Sequence, residues 1–168
     1  MMTRVASFKM AAICCCFLAL AACSKKNQPD LDAGLGGAGN GQSSATPGSK
    51  AQFETEIGDR VYFLNDQTNL TPEASDILTK QAQWLQQYGN VTIQVEGHAD
   101  ERGTREYNIS LSARRATTVR GFLISQGVAG SRIASIAYGK ERPVALCDAE
   151  QCWSQNRRAV TVITGGAN

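Results

Sequence analysis

Asp100 and Arg115 are the two side chains of this 168-residue chain whose types and placement best suit chemistry. An alternating stretch, Val91, Ile93 and Val95, runs into a turn-rich segment carrying Asp100, and a helical segment with Arg114 and Arg115 follows. An acid at a strand exit, facing a guanidinium on the next helix, suits a zwitterionic ligand. The carboxylate accepts from an ammonium, and the planar guanidinium grips a carboxylate with two parallel bonds. Asn108 and Arg115 are seven residues apart, which at about 100° per residue leaves them within roughly 20° of one helix face. Helical side chains lean toward the N-terminus, so the long arginine reaches back toward Asn108 and the loop. The first amides of that helix are unpaired and partly positive, a second reason for a carboxylate to sit there. Arg114 points about 100° away from its neighbour and reads as a solvated surface residue. The same residue types also make a purely structural ion pair, Arg115 with Asp100 or Glu96.

An enzyme is the weaker reading. His98 is the only histidine, so it would have to serve as the base for Ser110 or Ser112, and no second histidine exists for a zinc site. Set on a strand end, His98 reads as a structural, hydrogen-bonding residue. Trp84 and Trp153 read as packing residues. No metal and no cofactor is expected.

The elements that must position these residues follow from pattern. Val61, Tyr62 and Phe63 form a short β-like run. Thr71-Pro72-Glu73 reads as N-cap, first-turn proline and first-turn acid, and Ala74, Ile77, Leu78, Leu85 and Tyr88 mark one buried face of a helix that stops near Gly89. Val91 to Val95 alternates as a half-buried strand. A second helix runs from about Arg105, with Thr104 as N-cap, Leu111, Val119, Phe122 and Leu123 facing inward, and Gly127 ending it. Ile133 to Tyr138 is a third strand, Gly139 to Pro143 an exposed turn, and Ala159 to Ile163 a last strand after a short helix. This order argues for an α+β fold of two layers, helices on one mixed sheet.

The N-terminus reads as an address. Arg4 and Lys9 precede an apolar run from Met10 to Leu20 that is too short for a bilayer, which takes roughly 20 apolar residues. Leu20-Ala21-Ala22 before Cys23 resembles a bacterial lipobox, so residues 1–22 are expected to be a lipoprotein signal and Cys23 the lipidated residue. An ordinary secretory signal cut near Ala22 is the alternative. Cys14, Cys15 and Cys16 follow a bulky Ile13 and read as small hydrophobes of the signal. One acyl chain anchors only marginally, so two or three, palmitate among them, are expected on Cys23. Residues 23–50, mostly Gly, Ala, Ser, Asn and Gln, cannot bury enough surface to order themselves and are read as a disordered tether, about 30 Å long on average. Residues 51–168 form the domain. Removing the signal leaves basic and acidic side chains balanced, which makes nucleic acid a poor partner. In an oxidising compartment Cys147 and Cys152 are expected to form a disulfide. A metal site would need more ligands, and a redox pair is normally spaced Cys-x-x-Cys.

The pattern Gly97-His98-Ala99-Asp100, the run Tyr107-Asn108 … Leu111-Ser112 … Arg115-Ala116, and Asn156-Arg157-Arg158 resemble the OmpA-like peptidoglycan-binding family over nearly all of Arg60 to Ile163. The resemblance implies a non-catalytic domain that binds the meso-diaminopimelate of peptidoglycan stem peptides, with Asp100 taking the ammonium and Arg115 the carboxylate. It implies that Asn108, Leu111 and the Asn156-Arg157-Arg158 segment, Arg158 foremost, line or support the site and that Phe63 closes one wall. Leu64 stands where many relatives carry an aspartate. Cys147 and Cys152 are a local variation, absent from most members. Ser24 after the lipidated cysteine resembles the pattern that sorts lipoproteins to the outer membrane. Lipid-anchored members further imply the periplasmic protein TolB as a partner at a surface overlapping the wall site, with TolA and other envelope proteins beyond it. An OmpA-like lipoprotein in another envelope task and a motor stator are the alternatives, and a stator would carry a transmembrane helix before the domain.

Overall fold

The two long helices begin where side chains can cap them. In this computed structural model, which describes residues 45–168, Thr71 and Thr104 both hold extended backbone. Their hydroxyls accept from the amides of Ala74 and Tyr107, which starts α2 (Pro72–Gln87) and α3 (Arg105–Ser125). The expected signal, Cys23 and residues 24–44 lie outside the described residues. Residues 45–50, assigned to the tether on composition, carry structure. Ser49 caps a short α1 (Lys50–Gln52), which widens into a π-helical stretch over Phe53–Gly58. The Gly48 carbonyl accepts from the amide of Asn168, 3.1 Å away, so this segment is tied to the far end of the chain. Phe53 is fully buried against Trp84, ring centroids 4.9 Å apart. A lone aromatic at the edge of a polar tract carries no periodicity, which is why composition alone misses this turn.

Four strands make one mixed sheet: β1 (Arg60–Tyr62), β2 (Thr92–Gly97), β3 (Ile133–Ala137) and β4 (Arg158–Gly165), in the order β1-β4-β2-β3. β4 runs antiparallel to both its neighbours, and β2 and β3 are parallel. The parallel pair needs a crossover, and α3 provides it. The fold is therefore α+β, with α2 and α3 packed on the sheet around Val61, Leu78, Leu85, Ile93, Val95, Val119 and Leu123. A short α4 (Glu150–Asn156) precedes β4.

The inward face of α3 changes character along its length. Ala116, Val119 and Leu123 fill the apolar core, while Asn108, Ser112 and Arg115, one to two turns earlier, are also buried. Burying three polar side chains on one stripe costs stability unless each is satisfied. Such a stripe marks the part of the helix that serves the site. Gly97, the last residue of β2, lets this stripe approach. A Cβ there would lie 1.9 Å from the carbonyl oxygen of Ser112, so only glycine allows α3 to sit this close to the sheet.

The segment before α4 is held twice. Cys147 and Cys152 are joined by a disulfide. The Asn156 side chain accepts from the amides of Val144 and Ala145 (2.8 and 3.2 Å) and donates to the Ala145 carbonyl (2.9 Å). Two outcomes follow. Gly97→Ala is expected to cost about 3 kcal/mol, the upper end for overpacking, measured as a lower urea midpoint at unchanged slope. Replacing both Cys147 and Cys152 by serine is expected to cost about 2 kcal/mol, the loop-closure value for so short a ring, read from the same unfolding curves.

Candidate ligand site beyond the ends of β1 and β2

The loops leaving β1 and β2 and the first three turns of α3 line an open cavity of about 280 Å³. Asn65 and Asp66 come from the first loop, Asp100, Arg102 and Gly103 from the second, and Tyr107, Asn108, Leu111 and Arg115 from α3. Both signs of charge therefore face one open cleft, with Leu111 as an apolar patch of wall. Four of the six residues assigned to ligand binding on sequence, Asp100, Asn108, Leu111 and Arg115, line it together. Gly103, at φ +84°, turns the second loop into α3.

Arg115 forms the floor and has no exposed surface. Its Nε donates to the carbonyl of Gln67 (2.9 Å), Nη1 to that of His98 (2.9 Å) and Nη2 to that of Leu64 (3.3 Å). It therefore binds backbone carbonyls of both loops, and neither Asp100 nor Glu96 is its hydrogen-bonding partner. A guanidinium has five N–H donors, so those on the two Nη atoms not used by the loops remain for a carboxylate. Burial pulls the Arg115 pKa down to about 10, against the opposing pull of Asp100, and the group stays cationic at neutral pH.

Asp100 is held more tightly than an open acceptor. Its Oδ1 accepts from the amide (3.2 Å) and Nε (3.3 Å) of Arg102, and its Oδ2 from Nη2 of Arg102 (2.7 Å) and Nη1 of Arg157 (3.4 Å). Burial raises its pKa, but the hydrogen bonds and charge of Arg102, with Arg157, outweigh this and hold the carboxyl below its ordinary value. Arg102 also donates to Asn65 Oδ1 (2.5 Å) and lies over the Trp153 ring, 4.1 Å from its centroid. Trp153 thus supports a site residue, beyond the packing role assigned to it. Asn108 Nδ2 donates to the carbonyl of Arg102 (2.7 Å), and Lys140 Nζ to those of Glu101 and Gly103 (3.1 and 2.8 Å), which pins the second loop from both sides.

Three assignments need correction. Arg158 does not line the cavity. Its guanidinium donates to the carbonyls of Arg142 and Asn156, while its neighbour Arg157 reaches Asp100, Glu150 and the Phe63 carbonyl. Adjacent residues entering a strand point to opposite faces, so a motif quoted as a triplet cannot say which arginine serves the site. Phe63 is buried behind the site, its ring 5.1 Å from the Arg115 guanidinium, and lines a neighbouring groove. It supports the floor and does not form a wall. His98 is buried and stacked on Tyr138, centroids 5.5 Å apart, yet neither ring nitrogen has a hydrogen-bond partner. The sequence reading gave no role in the site to Asn65, Asp66, Arg102 and Tyr107, and of the Asn156-Arg157-Arg158 segment it singled out Arg158, whereas Arg157 is the one that reaches Asp100. Arg102 and Tyr107 flank Asp100 and Asn108 in sequence and were within reach, whereas the part of Asp66 depends on a loop path that has no periodic signal.

Comparison with known proteins agrees with this geometry. A model of the OmpA family matches residues 62–157. The peptidoglycan-associated lipoprotein of Agrobacterium fabrum is 58% identical over 151 residues, 88% of this chain and 83% of its own. The crystal structure of the peptidoglycan-associated lipoprotein from Burkholderia pseudomallei superposes with a TM-score of 0.64 at 36% identity, covering 66% of this chain and 96% of that one. The C-terminal domain of Helicobacter pylori MotB, at 24% identity and TM-score 0.60 over 64% of this chain and 84% of its own, shares the fold. The chain belongs to the OmpA family, in its group of peptidoglycan-associated lipoproteins. Members of the family are non-catalytic structural domains.

His98 gives the site region a pH dependence. Burial, then the charges of Arg158 and Arg142, lower its pKa to about 3, below the ordinary 6.5. The unfolded chain therefore takes up this proton first, and stability is full above pH 6.5 and falls as pH drops toward 3. The expected loss between pH 7 and pH 5 is about 1–2 kcal/mol, measured by urea unfolding at each pH. His98→Phe should flatten this difference.

Proposed function

We propose that this protein is a non-catalytic anchor between the outer membrane and the cell wall, and that its cavity binds the free amino acid end of diaminopimelate in peptidoglycan stem peptides. Residues 1–22 serve as the lipoprotein signal, Cys23 carries the acyl chains in the outer membrane, the segment from Cys23 up to residue 44 acts as the tether, and the domain faces the periplasm. The observation that carries the reading is the cavity itself, where Asp66 and Asp100 meet Arg102 and Arg115 around one open cleft. A zwitterionic head group needs both signs of charge within a few ångströms, and the cleft offers both. Relatives 54–58% identical are named peptidoglycan-associated lipoproteins, which supports peptidoglycan as the target here.

Within the Tol-Pal system the protein maintains outer-membrane integrity and supports invagination of the outer membrane during division. TolB takes a surface overlapping the cavity, so wall binding and TolB binding exclude one another, and TolA and other envelope proteins act beyond that exchange.

The test is co-sedimentation of the purified domain with sacculi. Wild type is expected to pellet with sacculi carrying diaminopimelate, to be released by TolB, and to stay in solution with sacculi whose stems carry lysine. Asp100→Ala is expected to weaken the binding by at least about 1.5 kcal/mol, the low end for a hydrogen bond to a charged group. Equal pelleting with both walls would refute the ligand assignment.

A further inference from the structure

The edge of the cavity rests on a short helix, and one covalent bond holds that helix in place. Arg102, which lines the cavity, lies over the Trp153 ring of α4. Arg157, behind it, pairs with Glu150 of the same helix. Trp153 also donates through Nε1 to Glu101, on the loop that carries Asp100.

α4 cannot keep this position by itself. It has seven residues, and no side chain caps its start, whereas isolated helices shorter than roughly 12 residues are marginal in water. The preceding loop fixes it at two points. Asn156 ties its last turn to Val144 and Ala145, and the Cys147–Cys152 disulfide ties its first turn to the chain just before it. None of these residues belongs to the apolar cluster between α2, α3 and the sheet. Opening the bond therefore frees the start of α4 and leaves the core intact. The two sulfurs also differ in access. Cys152 is buried, while Cys147 is partly exposed between the exposed Leu146 and Asp148, so an attacking thiolate meets Cys147 first.

We infer that the Cys147–Cys152 bond is a redox-controlled hold on the ligand site. Closed, it keeps α4 beneath Arg102 and Arg157; opened by a dithiol donor, it loosens both and weakens binding. The inference rests on the stem-peptide reading above and adds regulation to that site. The step is thiol–disulfide exchange. A donor thiolate attacks Sγ of Cys147, the Cys147–Cys152 bond breaks, and Cys152 leaves as a thiolate that takes up a proton. The donor's second thiolate then attacks the mixed disulfide and releases Cys147, which is protonated in turn. Two electrons and two protons pass to the protein, and the donor leaves as a disulfide.

The experiment uses the mature chain in detergent, oxidised and then reduced with dithiothreitol, a small dithiol. Thiol titration counts the cysteines released, amide hydrogen exchange follows α4 and the strands without ligand, and calorimetry reads the affinity for a soluble muropeptide carrying diaminopimelate. Reduction is expected to release two thiols (the lipidated Cys23 adds none) and to speed exchange over α4 but not over β2 and β4. Muropeptide binding is expected to weaken at least about fivefold, the low end of coupling between linked sites, and to recover on reoxidation with oxidised glutathione. The double variant Cys147→Ser, Cys152→Ser is expected to bind as weakly as the reduced chain and to ignore dithiothreitol. Trp153→Ala is expected to bind weakly in both redox states, because the bond acts on Arg102 through that ring. Equal affinity of the oxidised and reduced wild type, or unchanged exchange over α4, would overturn the inference. So would a reduced chain that lacks a cooperative urea transition, since the bond would then serve the fold as a whole. An oxidised wild type that binds no muropeptide would overturn the stem-peptide reading, whereas the exchange data still judge the hold on α4.

Discussion

Arg115 lies wholly out of solvent, and its three nitrogens reach the carbonyls of Gln67, Leu64 and His98. Those carbonyls belong to the two loops that face each other across the cavity. One planar cation on α3 therefore sets the spacing between the exit of β1 and the exit of β2. A buried charge is tolerated only when hydrogen-bonded or paired. Here the carbonyl dipoles satisfy it and the nearby carboxylate of Asp100 stabilises it electrostatically. A neutral residue at this position would leave three inward-facing carbonyls without a partner, and the loops would lose their common support.

The remaining charges are arranged in layers above that floor. Arg157, the residue between α4 and β4, connects Asp100 to Glu150 on α4 and to the Phe63 carbonyl behind β1. Arg102 covers Asp100 from the solvent side and rests on Trp153 of α4. The short helix and its bridged loop thus contribute indirectly, by giving Arg102 a platform. The close contact at Gly97 lets the polar stripe of α3 reach this layer, because a wider gap between helix and sheet would put Arg115 out of range of His98. Rigidity of the scaffold and polarity of the cavity have one origin: the first half of the α3 inward face is polar and satisfied, and the second half is apolar.

Much of the scaffold is legible in the chain. Thr71-Pro72 and Thr104 mark the helix starts through local hydrogen bonds that need no tertiary partner. Alternation at Val91, Ile93 and Val95 marks β2 because one face of a strand must be buried. The spacing of Asn108, Leu111 and Arg115 likewise predicts that they share a face, and all three reach the cavity. Less legible are contributions from segments without a period. Phe53 enters the core from a stretch whose polar lead-in resembles a tether. Asp66 reaches the cavity by way of an irregular loop. The choice between Arg157 and Arg158 depends on where β4 begins, and element ends are the least readable feature of a pattern.

The sequence by itself determined the elements, their α+β order and the identity of the acid and the base that face one cavity, since caps, alternation and helical period are local properties of the chain. Tertiary structure alone decided what each charge does. Only the fold brings Gln67, Leu64 and His98 around Arg115, pairs Asp100 with two arginines from different segments, and sets Asp66 against the Tyr107 hydroxyl. Those outcomes depend on distances between residues far apart in the chain, and hydrogen-bond capacity is settled by which partners arrive there.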